Sequence, residues 1–169
     1  MKKIILYIAQ SLDGYVATKD GSVAWLDDYF SKEFGTEKFI EEMDTVIQGN
    51  VTYEQFKSKY PGKNSYVFSS DADGRSEEGV TFVKGSVTDF IKGLDENTHK
   101  NIWLVGGPNL ITQFLNEGQI DEMGIFTMPV LLNEGKSLFQ NIEVSSNLTL
   151  IGSKSYKNGA TETDYIITR

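Results

Sequence analysis

A chain of 169 residues with 39% hydrophobic residues, 16 glycines and 3 prolines has the length and apolar content for one domain, expected over 1–169, with a sizeable core. Without cysteine it forms no disulfide, thiolate metal site or cysteine nucleophile, and no metal centre is expected. A formal charge of −8 without any Lys/Arg-rich block repels nucleic-acid backbones and anionic membranes, so neither is an expected partner.

The first apolar run, KIILYIA at 3–9, reads as a strand rather than a leader, because Gln10 and Asp13 interrupt it and no small-residue cleavage site follows. No stretch approaches the ~20 apolar residues of a membrane helix. The sequons at Asn50 and Asn147 therefore carry no meaning, and the expected compartment is the cytoplasm. A helical stretch is predicted around 28–43, a strand at 45–48 (TVIQ) and a helix over 51–58. Strands follow at 65–69 (SYVFS) and 79–83 (GVTFV), then a helix over 86–93 opened by Ser86 with Asp89 three residues on. A strand at 101–105 (NIWLV) and a helix at 108–116 complete the alternating part, and 121–130, 147–155 and 161–168 read as strands only. About eight strands result. Alternation through the first two thirds implies an α/β class with a mostly parallel sheet and helices on its faces, and the strand-only end implies an antiparallel C-terminal hairpin.

One local device occurs twice. VIQGNVTYEQF (46–56) lies over LVGGPNLITQF (104–114), with Gly49 matching Gly107 and Gln-Phe closing both. Each reads as strand, glycine turn, helix N-terminus. Unpaired N–H groups at a helix start attract phosphate and glycine lets it approach, while the same glycines also serve tight turns and close helix–sheet packing. Pro108 suits a first helical turn under either reading. Neither G-x-G-x-x-G nor G-x-x-x-x-G-K-[ST] is present, so a Rossmann or P-loop site is not supported.

ILYIAQSLDGYVA, AWL, VIQGNVTYEQF, VFSS, IWLVGGPNLITQFL and IDEMGIFTMPVLLNEGKSLF occur in an order and spacing that resemble the dihydrofolate reductase-like family. The SLDG form is closest to the reductase domain of riboflavin-biosynthesis deaminase/reductases and to their stand-alone bacterial relatives. With no cysteines for a zinc deaminase, only the reductase half is expected. The resemblance implies an NADPH site. Ala9 and Val16 would offer backbone groups to the nicotinamide carboxamide, and Val105, Gly106 and Gly107 would let the coenzyme lie against the strand. Pro108, Asn109 and Leu110 would open the helix that faces one phosphate, and Gly49, Asn50, Val51 and Thr52 would hold the other. Ser69 and Ser70 match the serine pair beside the adenosine ribose and its 2′-phosphate. Asn50 stands where relatives commonly carry Arg or Lys, which leaves Arg75 or Lys84 as candidate cations and the choice of NADPH over NADH open.

Hydride transfer also needs a held acceptor and a proton source. Dihydrofolate reductases place a carboxylate a few residues past the tryptophan of the first loop; here Trp25-Leu26 is followed by Asp27 and Asp28, and the equivalent spacing falls nearer Phe30. Asp27 and Asp28 are thus candidate substrate carboxylates or helix caps, and Asp13 of SLDG a candidate catalytic group or a turn residue. His99 is expected in a solvated polar turn, Asp71 to Gly74 as a surface turn, and Tyr29, Phe30, Phe34 and Phe39 as core or cleft aromatics. The leading expectation is an NADPH-dependent reductase of a pyrimidine- or pterin-like heterocycle, resembling the 5-amino-6-(5-phosphoribosylamino)uracil reductases. Dihydrofolate reduction and a non-catalytic nucleotide-binding module are the alternatives. A homodimer built on the strand-only C-terminal third is the expected assembly.

Overall fold

The computed structural model describes residues 1–168. Ten strands are β1 (Lys3–Ser11), β2 (Tyr15–Ala17), β3 (Thr45–Gly49), β4 (Asn64–Phe68), β5 (Thr81–Val83), β6 (Asn101–Gly106), β7 (Glu122–Met128), β8 (Lys136–Ser137), β9 (Asn147–Ser155) and β10 (Thr161–Thr168). The α-helices are α1 (Thr36–Glu42), α2 (Asn50–Phe56), α3 (Val87–Gly93) and α4 (Pro108–Asn116). Eight strands form one sheet in the order β5-β4-β3-β6-β1-β7-β10-β9, and β2 pairs with β8 apart from it. From β5 to β7 every pairing is parallel, and β10 runs antiparallel to both β7 and β9, so the α/β sheet with an antiparallel C-terminal hairpin stands as expected from the sequence.

Period-two alternation divides the core between the two faces. Ile4 and Leu6 of β1, with Ile47 and Leu104, pack against α3 and α4 through Ile91, Ile111 and Phe114. Val46 and Trp103 point the other way, toward Met43, Phe39 and Tyr60 on the side of α1. None of the described helices is long and apolar enough to cross a membrane.

The predicted helix over 28–43 breaks into two 3-10 turns, Ala24–Tyr29 and Lys32–Phe34, before α1. Phe30 and Ser31 are extended and Gly35 is left-handed at φ 69°, so no continuous helix can pass through them. β2 and β8 are additional to the strands expected from the pattern; at three and two residues they are too short for periodicity and exist only by pairing with each other.

The sense in which the connections run along the sheet reverses at its middle. The connection leaving β3 runs outward to β4, whereas the one leaving β6 runs past β1 to β7, so the carboxyl ends of β3 and β6 bracket a topological switch point. In open α/β sheets such a point opens a crevice where ligands bind.

Candidate active site

Both glycine junctions identified in the sequence lie at that switch point. A Cβ built on Gly49 would stand 3.4 Å from the Gly107 nitrogen and 3.6 Å from the Gly106 oxygen, and one built on Gly107 would stand 3.1 Å from Thr52 Oγ1. The two junctions are therefore in contact, and the start of α2 faces the start of α4.

The two glycines of LVGGPNL do different work. Gly106 has φ 123°, which disfavours any side chain, and its missing Cβ would point at Ile111 and Ile8 in the core. Gly107 has φ −81° and ψ −168°, which any residue adopts; what glycine supplies there is space beside Thr52. The peptide bond joining them is cis.

Above the junctions opens a cleft of about 980 Å³, at the upper end of the range for small-molecule sites. One wall carries Gly49, Asn50, Val51 and Thr52, and the facing wall carries Gly107, Pro108, Asn109 and Leu110. Ala9, Val16 and Val105 contribute from β1, β2 and β6, and Ser69, Ser70 and Lys84 from the ends of β4 and β5. Of the residues the sequence suggested for a coenzyme, Gly106, whose role is conformational, and Arg75 lie outside this lining. The lining contains no Asp or Glu among the described residues; its charged side chains are Lys84 and Lys136. In a chain of net charge −8 this is a local reversal that suits an anionic ligand.

Residues 2–161 match the family model of the RibD C-terminal domain. The chain belongs to the RibD C-terminal domain family. The uncharacterized protein YwjB of Bacillus subtilis is 38% identical over 161 residues, covering 92% of this chain and 92% of YwjB. A solved structure from Shewanella sp. PV-4, provisionally named a riboflavin biosynthesis protein, is 31% identical with a TM-score of 0.84 and 99% coverage of both chains. Dihydrofolate reductase from Enterococcus faecalis, solved with NADP(H) and RAB-propyl, shares the fold at a TM-score of 0.73 and 16% identity, covering 99% of this chain and 97% of that one. Family and fold together support a reductase-type function.

Within this RibD C-terminal domain the three candidate acids do not meet in the cleft. Asp27 and Asp28 are exposed on the first 3-10 turn and neither lines the cleft, although their neighbour Leu26 does. Asp13 is a clamp between loops. Its Oδ1 accepts from Ser11 Oγ at 2.6 Å and from the Leu132 N–H at 3.1 Å, and its Oδ2 accepts from the Asn133 N–H at 2.8 Å. The Ser11 hydroxyl first, then these backbone N–H groups, hold its carboxyl below the usual carboxylate range. Since Gly14 turns at φ 85° and its N–H donates to Ser11 O, SLDG is a turn that fastens the 130s loop.

Other expectations need correction. His99 is not in a solvated turn: it is 7% exposed, and its Nδ1 lies 2.7 Å from Thr45 Oγ1 beneath the sheet. Arg75 is outside the lining, its guanidinium donating to Asn50 Oδ1 and Glu54 Oε1, both at 2.6 Å, and resting 3.8 Å above the Phe82 ring. Asp71 to Gly74 is a surface turn as expected, in which Asp71 accepts from Ser69 Oγ and Asp73 pairs with Lys84 at 2.8 Å. Tyr29, Phe34 and Phe39 pack in the core, Phe30 is exposed, and the cleft is lined instead by Phe56, Phe68 and Tyr60.

Polar groups of the lining missed in the sequence include Gln48, Ser58 and Tyr60, with Gln55, Gln113, Lys136 and Gln140. Burial raises the Tyr60 hydroxyl above the ordinary tyrosine value, with a hydrogen bond from Ser58 acting the other way. Their one sequence signal is Gln48 itself, a polar residue directly after the apolar Val46-Ile47 of the strand TVIQG.

Proposed function

We propose that the protein is an NADPH-dependent reductase of a pyrimidine- or pterin-like heterocycle, in the reaction class of the riboflavin-pathway reductases. The observation that carries this reading is the contact of the two glycine junctions, Gly49 against Gly107 and Gly107 against Thr52 Oγ1, at the base of a cleft of about 980 Å³. A Cβ at either glycine would occupy the surface where a pyrophosphate would lie, so the residues present fit the coenzyme. NADPH bound there supplies the hydride.

The chain's own groups bind and orient. Thr52 and the backbone of Asn50 and Val51 would hold one phosphate, and the Asn109 N–H at the start of α4 the other, the Leu110 N–H being bonded to the Gly107 carbonyl at 3.0 Å. Lys84, beside Ser69 and Ser70 in the lining and paired with the exposed Asp73, is placed to meet the ribose 2′-phosphate, whereas Arg75, held by Asn50 and Glu54, lies outside the lining. Apolar walls of Ile8, Val23, Leu26 and Phe56 exclude water from the acceptor ring. Folate reduction would call on a carboxylate in the cleft, and neither Asp27 nor Asp28 reaches it. The reading assigns the enzyme to the cytoplasm.

Titration of the purified protein with NADPH and with NADH, followed by fluorescence, tests the reading. Binding of NADPH in the micromolar range, lost in Gly107→Glu, is the expected result, followed by NADPH oxidation with riboflavin-pathway pyrimidines in preference to dihydrofolate. Failure to bind either nucleotide would overturn it, and tight NADPH binding without turnover on any heterocycle would favour a non-catalytic module.

A further inference from the structure

Gln48 is the penultimate residue of β3, directly before Gly49, and lines the cleft, yet it is only 1% exposed. Its Nε2 donates to the Ser58 carbonyl at 3.2 Å. A carbonyl can only accept, so this bond fixes which end of the amide is nitrogen and leaves Oε1 as the free end. Oε1 is buried and has no hydrogen-bond partner among the described residues. An acceptor in that condition is costly unless something else fills it.

The strand geometry says which part of the cleft it serves. β3 pairs with β4 in unbroken register through Gly49, so Gln48 shares the face of Val46, on the side of Tyr60, Trp103 and Val105. Ile47 takes the opposite face and packs with α4. Oε1 therefore belongs to the side away from the α4 junction assigned to phosphate. The pairing of β3 with β6 also shifts between Ile47 and Gln48, leaving Val105 as the extra residue that lines the cleft beside it.

We propose that Gln48 is a specificity-determining residue for the substrate, its buried carboxamide oxygen accepting an N–H from the heterocycle held on the Tyr60 and Val105 side of the cleft. The substrate class is then narrowed to rings that present a lactam or amino N–H at that edge, and rings alkylated there are excluded. This rests on the reductase reading above. Because a site built to accept a hydrogen bond rejects analogues lacking the donor far more strongly than it senses added bulk, one N-methyl group is a sharp probe.

The experiment is calorimetric titration of the NADPH-saturated protein with 6-aminouracil and with its N1-methyl and N3-methyl analogues, repeated on Gln48→Met and Gln48→Glu. The expected result is that methylation at one nitrogen weakens binding at least about tenfold in the wild type, that the preference falls below about twofold in Gln48→Met, and that Gln48→Glu, which keeps an oxygen at that position, retains part of it. The comparison within the wild type stands even if a variant does not fold. Equal binding of all three probes, or binding of none by NADPH-loaded protein, overturns the role of Gln48 while leaving the coenzyme reading intact. Weaker NADPH binding in Gln48→Met with no change in probe preference assigns Oε1 to the coenzyme and overturns it as well. Failure of the wild type to bind NADPH removes the reductase reading itself, and this inference with it.

Discussion

Adjacent glycines at the β6–α4 junction should fail in different ways when each is given one methyl group. At Gly106 the obstacle is conformational: φ is 123°, while the space is adequate, the nearest atoms to an added Cβ being Ile111 Cδ1 at 3.5 Å and Ile8 Cδ1 at 3.7 Å. Holding a non-glycine residue in such a region costs roughly 1–3 kcal/mol. For a chain of this size, at about 2–4 °C per kcal/mol, Gly106→Ala should lower Tm by roughly 2–12 °C. Gly107 differs. Its backbone suits alanine, and the tight contact at 3.1 Å is with a hydroxyl, Thr52 Oγ1, that can rotate away. Alanine also restricts the unfolded chain, which returns about 0.4–1 kcal/mol. Gly107→Ala should therefore melt within about 3 °C of the wild type yet bind NADPH at least about tenfold more weakly, a loss of ~1.4 kcal/mol, because its methyl occupies the cleft surface. Differential scanning fluorimetry and nucleotide titration on both variants separate the two effects. A Gly107→Ala protein that binds NADPH like the wild type, or melts as low as Gly106→Ala, would refute the division of roles.

Lys84→Ala should weaken NADPH roughly three- to tenfold and leave NADH unchanged in paired titrations, since of the two nucleotides only NADPH carries the 2′-phosphate to which the exposed ammonium, paired with Asp73, would turn; equal loss for both nucleotides would place it elsewhere. Asp164 sits between Gly124 and Gly152 across three strands, and burial, then Glu162 and Glu122, raise its pKa. A raised carboxyl favours the folded state below its unfolded pKa and loses that contribution as pH rises through the folded value, so Asp164→Asn should raise Tm at pH 7 and lose the advantage below about pH 4 in a pH series of melts. The outer edge of β9 has no strand partner among the described residues, and Leu150 on it is 55% exposed, so we expect a dimer in sedimentation velocity at micromolar concentration that Leu150→Lys converts to monomer; a monomeric wild type would refute this.

Much of this molecule was written locally. Apolar runs of strand length separated by three- and four-spaced apolar residues determine the order of strands and helices, because burial of one face imposes its period on neighbouring positions. The doubled pattern VIQGNVTYEQF and LVGGPNLITQF marked both junctions at the cleft, because two strand-to-helix turns that come this close leave little room for a Cβ at Gly49 and Gly107. Only the tertiary structure decided what depends on partners far away in the chain. Asp13 became a clamp because the N–H groups of Leu132 and Asn133 come to it across about 120 residues. His99 left solvent because Thr45, 54 positions away, lies under it. Gln48 shows the division most plainly: its alternation on β3 is local, whereas its one-sided satisfaction depends on Ser58 after α2 and its place beside Val105 in the cleft on β6 pairing with β3. Hydrophobic period is a property of neighbours in sequence, and the pairing of buried polar atoms is a property of neighbours in space.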